Sequence, residues 1–200
     1  MRCLVTDRRR LTAGGASADD ARRLLLTQLV EAVEGGVDLI QVRERDLDAA
    51  QLAALVRDVV SLTRGSRTRV VINDRLDVAL ACGAGGVHLR GDSIPALHAR
   101  RIAPAGFLIG RSVHAADEVP GAEGCDYLIA GTVFSSRSKG RDAPLLGLAG
   151  LQAVVRAARV PVLAIGGVTP DRFEEIAAAG AAGVAGIGLF LPFDRAKPGP

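Results

Sequence analysis

The segment EGGVDLIQV, residues 34–42, shows how the chain is built: a helical stretch ends in glycine, and a short apolar run follows at once. Gly36 suits the position just after a helix, where φ is positive and a Cβ would be strained. The apolar run is typical of a parallel strand that is buried on both faces. The segment therefore predicts a helix followed directly by a buried strand.

The same pattern recurs at three further places in the chain. They are CGAGGVHL (82–89), EGCDYLIAG (123–131) and AGAAGVAGIG (179–188). Four other apolar runs alternate with these segments, namely RCLVTD (2–7), RVVIND (69–74), FLIGRSV (107–113) and VPVLAIGG (160–167). Helical periodicity fills most of the intervals, as at 18–34, 47–62 and 170–180. The chain is therefore predicted to alternate eight strands with helices.

Two α/β architectures fit this alternation in about 200 residues, a closed (β/α)8 TIM barrel and a doubly wound open sheet. The fourfold recurrence favours the barrel, and no G-x-G-x-x-G follows the first strand to favour a dinucleotide fold. We expect one domain over residues 1–200. Its tail, LPFDRAKPGP (191–200), is too rich in proline for a full helix, so the last helix should be truncated or missing. A missing helix would leave a gap in the ring of helices that a partner subunit could cover. We therefore expect a homo-oligomer.

Composition excludes several classes of protein. The net charge is only +3, and with one Tyr and no Trp there is little to stack on bases, which argues against nucleic acid. No apolar run approaches the roughly 18 residues of a membrane span, and no signal peptide precedes the first strand. The cysteines are odd in number and lack metal-ligand spacing. We therefore expect a cytoplasmic protein with reduced thiols.

Polar residues gather where the predicted strands end, which is where barrel enzymes place their active sites. Gln41, Arg43 and Arg45 alternate along the second strand and should point the same way. The other candidates are Asn73 and Asp74; His88, Asp92 and Ser93; Ser112 and His114; Ser136, Ser138 and Lys139; and the glycine-bearing turns Gly166–Gly167 and Gly186–Ile187–Gly188. The predicted strands should bring these residues to one end of the barrel.

These residue types indicate phosphate chemistry. Backbone N–H groups at glycine turns bind phosphate oxygens, and arginines grip an anion bidentately. A carboxylate among the cations suggests Mg²⁺ bridging a diphosphate. Structural interpretations stay open beside this one: His88 also suits a hydrogen-bonded core residue, and Asp74 with Arg75 also suits the start of a helix. The pattern as a whole indicates a barrel enzyme that acts on phosphorylated small molecules.

The motifs resemble those of the thiamine phosphate synthase/TenI family, in order and spacing, over most of the chain. They are TD (6–7), GVDLIQVRER (36–45), VVINDRLDVAL (70–80), GGVHL (85–89), GRSVH (110–114), CDYLIAGTVF (125–134), SRSK (136–139) and VPVLAIGGVTPDR (160–172). The resemblance implies a (β/α)8 barrel. In the synthase branch it implies that hydroxymethylpyrimidine diphosphate condenses with hydroxyethylthiazole phosphate and releases pyrophosphate.

Site roles follow from the resemblance, position by position. The diphosphate would be held by Gln41, Arg43, Arg45, Asn73 and Lys139, and the thiazole phosphate by Ser136, Ser138, Gly167, Ile187 and Gly188. Asp74 would bind Mg²⁺, and Ser112 would lie near the pyrimidine. The catalytic candidates are Arg43, Lys139, Ser112 and His114. Both substrates would be small phosphorylated molecules.

Three positions depart from the family pattern. Where the family has its second magnesium-binding aspartate, this chain has Ser93, and Asp92 one residue earlier is a candidate substitute. Where the family has a lysine in the second strand, this chain has Arg45. Where the family has a serine after strand eight, this chain has Gly188. These departures favour a TenI-type thiazole tautomerase, an isomerase in which His114 would act as acid and base. A third hypothesis is a non-catalytic regulator that binds thiazole or thiamine phosphates. The diphosphate residues favour the synthase.

Overall fold

Eight parallel strands close into a barrel in a computed structural model that describes residues 1–12, 17–135 and 144–190. The strands are β1 (Arg2–Val5), β2 (Leu39–Val42), β3 (Arg69–Asn73), β4 (Gly86–Leu89), β5 (Leu108–Val113), β6 (Tyr127–Gly131), β7 (Val162–Ile165) and β8 (Gly183–Gly186). Each pairs with the next in the chain, and Cys3 of β1 pairs with both Leu39 of β2 and Ala185 of β8. The predicted barrel is confirmed, and the open sheet is excluded.

Helices cover the outside of the barrel. They are α1 (Ala18–Glu34), α2 (Ala49–Leu62), α3 (Leu76–Ala81), α4 (Ala96–Ile102), α5 (Gly147–Ala157) and α6 (Phe173–Ala178). The interval after β5 holds a 3-10 helix over Ala116–Ala122, which contains Pro120. After β8 the described chain forms only a three-residue 3-10 turn, Gly188–Phe190, so the expected shortening of the last helix is confirmed there. The tail at 191–200 lies outside the described residues.

Helix ends follow from local chemistry. Ser17 caps α1, because its hydroxyl accepts the Asp20 N–H at 3.1 Å. Helix α2 begins at 49 and not at 47, because Asp48 and Gln51 form a reciprocal capping box. The predicted positive φ is found at all four recurring glycines, with 71° at Gly36 and similar values at Gly83, Gly124 and Gly180. In each recurring segment, the glycine therefore ends the helical stretch and lets the chain enter the next barrel strand.

Two apolar layers stabilise the fold. One lies between the barrel and its helices and includes Leu25, Leu55 and Leu151, all fully buried. The other fills the barrel interior with Cys3, Val5, Leu39, Tyr127, Ile129, Leu163 and Ala185. The side chains of the interior layer fill the barrel below the carboxyl ends of the strands. A ligand should therefore bind at the carboxyl ends, where the predicted site residues lie.

The cysteines are free thiols. Burial raises the pKa of Cys3 to about 12 and that of Cys125 to about 11, so neither forms a thiolate near neutral pH. Among the residues that the structure describes, no helix combines the length and the apolar character needed to cross a bilayer.

Candidate active site

A cavity of about 1050 Å³ opens at the carboxyl ends of the strands. Ten of the predicted candidate residues line it: Gln41, Arg43, Arg45, Asn73, His88, Asp92, Ser112, His114, Gly166 and Ile187. Its volume matches the upper range of small-molecule sites and leaves room for two substrates side by side. Asp74 lines an adjoining cavity of about 370 Å³, which shares Arg45, Asn73 and Arg90 with the larger one.

Some predicted residues are not brought to this cavity. Gly167 and Gly188 lie near its rim, in the loops after β7 and β8, but do not line it. Ser136, Ser138 and Lys139 lie outside the described residues, so their roles stay predictions. The structure therefore describes the predicted residues on the side of β2 to β5, and it describes those on the side of β6 to β8 only in part.

The wall at β2 and β3 combines an amide pair with cationic side chains. The Gln41 amide nitrogen donates to the Asn73 side-chain oxygen at 3.0 Å, which ties the ends of the two strands together. Partial burial lowers the pKa of Arg43, and the neighbouring Arg45 adds to this effect. A bound anion would stabilise the charge of the partly buried Arg43, because it supplies the counter-charge that Arg43 lacks beside Arg45. This wall is suited to binding a diphosphate.

A buried ion network, which we call the Arg8 clamp, holds the segment that carries these arginines. Glu44 lies between Arg43 and Arg45 and points the opposite way, where its carboxylate contacts the Arg8 guanidinium at 2.8 Å. Arg8 also binds Asp46 at 2.7 Å, and the Arg43 N–H donates to the Thr6 hydroxyl at 2.9 Å. The clamp therefore fixes which way Arg43 points.

The Arg8 clamp was not predicted from the sequence. Arg8 stands in the run RRR and suggests a surface cation, yet it is only 8% exposed. Burial raises the pKa of Glu44 although Thr6 and Arg8 pull it down, so its charge depends on the clamp. The signal available was the alternation in RER (43–45), which turns the middle residue away from the cavity.

Asp74 has an unusual backbone conformation at the end of β3. Among the residues that the structure describes, Asp74 is the one non-glycine residue with a positive φ, 62°. Its backbone N–H donates to the His88 carbonyl at 2.9 Å. It makes no cap to α3, where Arg75 pairs instead with Asp77 at 2.6 Å. Helix α3 does begin directly after Arg75, so the alternative interpretation of this pair as a helix start is confirmed for the position, although Asp74 supplies no side-chain cap.

Asp74 and the Ser93 hydroxyl form an oxygen-rich corner. The Ser93 hydroxyl donates to Asp74, and Arg90 lies 3.5 Å from Asp74 while also pairing with the exposed Asp92. Within the described ranges, no three His, Cys, Asp or Glu residues come together as a ready-made metal centre. One carboxylate and one hydroxyl nevertheless fit Mg²⁺, which prefers oxygen ligands and takes several from water and substrate phosphates.

Inside the barrel, three polar side chains form a chain of hydrogen bonds. The Tyr127 hydroxyl lies 3.2 Å from His88 Nδ1, and His88 Nε2 lies 2.9 Å from the Ser112 hydroxyl. His88 is 1% exposed, and burial lowers its pKa to about 3, with the positive charge of Arg111 adding to the effect. His88 is therefore neutral at working pH, and its interpretation as a hydrogen-bonded core residue is confirmed.

His114 follows β5, lines the same cavity and is exposed. Its Nδ1 is 3.4 Å from the Glu118 carboxylate, and its backbone N–H donates to the same carboxylate at 2.8 Å. A histidine paired with a carboxylate in a cavity can move a proton. The geometry is compatible with the predicted role of His114 in a tautomerase.

The turn after β7 packs tightly on the loop after β6. Gly166 and Gly167 both have positive φ, and a Cβ at either would overlap Thr132 or Phe134. The Phe134 N–H donates to the Gly166 carbonyl at 3.0 Å. Glycine is therefore required here for close packing, and the same turn gives the backbone access to the cavity rim.

Comparison with known proteins gives a consistent result. A family model described as thiamine monophosphate synthase matches residues 13–190. The thiamine-phosphate synthase of Methanoregula boonei is 43% identical over 158 residues, which cover 78% of this chain and 73% of that protein. The putative thiamine-phosphate synthase of Geobacter sulfurreducens is 39% identical over 200 residues, covering 97% and 90%. The solved thiamine phosphate pyrophosphorylase from Pyrococcus furiosus superposes with a TM-score of 0.80 at 34% identity, over 96% of this chain and 88% of that one.

Proposed function

The chain belongs to the thiamine monophosphate synthase family, and from this premise we propose that it is a thiamine phosphate synthase. It joins hydroxymethylpyrimidine diphosphate to hydroxyethylthiazole phosphate and releases pyrophosphate. The observation that carries the proposal is the cavity wall, where Gln41, Arg43, Arg45 and Asn73 face one space large enough for both substrates.

The proposed reaction needs no covalent bond between the protein and its substrates. The bond between the pyrimidine methylene and the diphosphate oxygen breaks, and both electrons leave with the pyrophosphate. The thiazole nitrogen then donates its lone pair to the methylene carbon. The protein's task is to stabilise charge on the leaving group and to hold the nucleophile in line. The partly buried Arg43 suits the first task, because its attraction for an anion is stronger than in water.

Residue roles follow from position. Arg43 and Arg45 would bind the diphosphate, with the linked Gln41 and Asn73 amides fixing its orientation. Asp74 would hold Mg²⁺, which when bound neutralises part of the diphosphate charge. Ser112 would contact the pyrimidine from the barrel floor. The thiazole phosphate would lie toward Gly167, Ile187 and Gly188, together with Ser136, Ser138 and Lys139.

A coupling assay with both substrates, with Mg²⁺ and again with EDTA, tests the proposal. We expect thiamine phosphate to form only with Mg²⁺. Arg43→Ala should lower kcat/KM by about ten- to a hundredfold, the scale of one charge-assisted hydrogen bond. Arg156→Ala is the matched control, because Arg156 is exposed in the last turn of α5, at the far end of the barrel. Unchanged turnover in Arg43→Ala would remove Arg43 from the site.

A second function is favoured by one observation, the pairing of His114 with Glu118 on the cavity wall. If no thiamine phosphate forms, the same protein should be tested for isomerisation of a thiazole carboxylate phosphate. Loss of that activity in His114→Ala would establish a tautomerase. Tight binding of thiazole or thiamine phosphates without either turnover would identify a regulator.

We also propose a homo-oligomer. Up to residue 190, where the described part of the chain ends, the segment after β8 forms the turn Gly188–Phe190, and Gln28 of α1 donates to the Phe190 carbonyl there at 2.8 Å. Val30 on the same helix is 42% exposed. Sedimentation should therefore show a species larger than 20.7 kDa, and a monomer at all concentrations would contradict this expectation.

A further inference from the structure

We propose that Tyr127 and His88 form a one-way hydrogen-bond relay that leaves the Ser112 hydroxyl hydrogen free to donate into the cavity. In this relay Tyr127 donates to His88 Nδ1, and His88 Nε2–H donates to Ser112 Oγ. Tyr127 and His88 are then positioning residues that act on a ligand through Ser112.

The fold explains how residues on three strands come into line. His88 on β4, Gly110 on β5 and Tyr127 on β6 lie at the same level in the sheet register. Gly110 has no side chain, and a Cβ there would overlap the Tyr127 ring. The tyrosine therefore crosses over β5 and reaches the histidine, with the two ring centroids 5.6 Å apart. Ser112 stands one inward position further along β5 and meets the other ring nitrogen.

The direction of the relay follows from counting donors and acceptors. A neutral imidazole has one N–H donor and one bare acceptor nitrogen. Tyr127 is 2% exposed, and among the described residues its hydroxyl bonds only to His88. If Nδ1 carried the hydrogen, the tyrosine would have to accept, and its own O–H would be buried without an acceptor. The proton therefore belongs on Nε2.

The consequence reaches the cavity through Ser112, which is partly buried and lines the wall. One lone pair of its oxygen is occupied by His88 Nε2–H. The hydrogen of the Ser112 hydroxyl has no acceptor among the described residues, so it is available to a ligand atom that carries a lone pair. Resting on the proposed function, that atom is an acceptor on the pyrimidine substrate, which the relay would orient before the diphosphate leaves.

Nuclear magnetic resonance tests the direction without any assay of activity. Long-range ¹H–¹⁵N correlation of the full chain labelled at histidine reports which ring nitrogen carries the proton. His98→Gln and His114→Gln, both at exposed positions, remove the other two histidine signals and leave that of His88. We expect a neutral ring with hydrogen on Nε2 and a bare Nδ1. Hydrogen on Nδ1, or a charged ring, would overturn the relay.

A double-mutant cycle then tests its effect on the ligand. Tyr127→Phe should lower kcat by about three- to tenfold, the scale of one neutral hydrogen bond, and should have no further effect in a Ser112→Ala background. Leu163→Val is the control, because it removes one methylene from the same interior layer and leaves the hydrogen bonds in place. An equal loss in both backgrounds would mean that Tyr127 acts by packing. Absence of turnover in the wild type would refute the proposed function alone, since the spectrum decides the relay by itself.

Discussion

Replacing Arg8 by methionine is the most direct test of the Arg8 clamp. Methionine keeps most of the aliphatic bulk but removes the cation that faces Glu44 and Asp46. The Glu44 side chain is 1% exposed and loses its charged partner, whereas that of Asp46 is 40% exposed and can return to water. The change therefore separates a buried carboxylate from a solvated one.

The magnitude follows from that difference. Removing one partner of a buried ion pair costs about 3–5 kcal/mol, while a solvated pair contributes less than about 1 kcal/mol. Such a loss is a large fraction of the about 5–15 kcal/mol that stabilises a typical domain. In a chain of this size it corresponds to a fall in Tm on the order of 10 °C.

Protonation of Glu44 gives the prediction its pH dependence. Burial already raises its pKa above the ordinary 4.5, and loss of Arg8 should raise it further. A carboxyl with a raised folded pKa destabilises the protein above that pKa, and the penalty is relieved as pH falls through it. Arg8→Met should therefore be more damaging at about pH 8 than at about pH 5.

Urea unfolding of the wild type, Arg8→Met and the double variant Arg8→Met with Glu44→Leu measures these effects. The double variant should recover much of the lost stability, because no charge remains buried there without a partner. A loss below about 1 kcal/mol, or no recovery in the double variant, would refute the view that Arg8 compensates a buried charge.

Three further outcomes are expected. Lys139→Ala should slow condensation at least about tenfold in single-turnover kinetics if the lysine contacts the leaving group, and an unchanged rate would exclude it. Ser93→Asp should tighten Mg²⁺ binding in calorimetry by placing a second carboxylate beside Asp74, and weaker binding would show that the corner is built for a hydroxyl. The pKa of Asp46 is lowered, first by its hydrogen bond from Arg8, so its stabilisation is present above the ordinary 3.8 and lost as pH falls further. Asp46→Asn should therefore cost up to about 1 kcal/mol near pH 7 and nothing near pH 2 in urea unfolding, and a constant difference would contradict this sign.

The barrel could be predicted because its signals are local. A glycine after a helix and a buried run after the glycine depend on a few neighbouring residues, and four copies of that pattern determine the topology. Where a boundary was missed, another local signal had been overlooked, as with Asp48, which caps α2. Pro120 likewise accompanies a 3-10 helix in the interval after β5.

The site could be predicted only in part. Strand ends converge in any barrel, so the positions of Gln41, Arg43 and Ser112 followed from topology alone. The partners of these residues did not, because Arg8 meets Glu44 across 36 residues and Tyr127 meets His88 across 39. Contacts of that range depend on register and side-chain reach, which short patterns do not contain.

The space above Gly110 makes two positions in the chain interdependent. The Tyr127 ring occupies the volume that any larger residue at 110 would need. Relatives that lose this glycine should therefore also lose the tyrosine, and the two positions should covary across the family although 17 residues separate them. For engineering, the pair is a single unit: a smaller side chain at 127 would open room at the barrel floor, and a larger one at 110 could then fill it and reshape the end of the cavity.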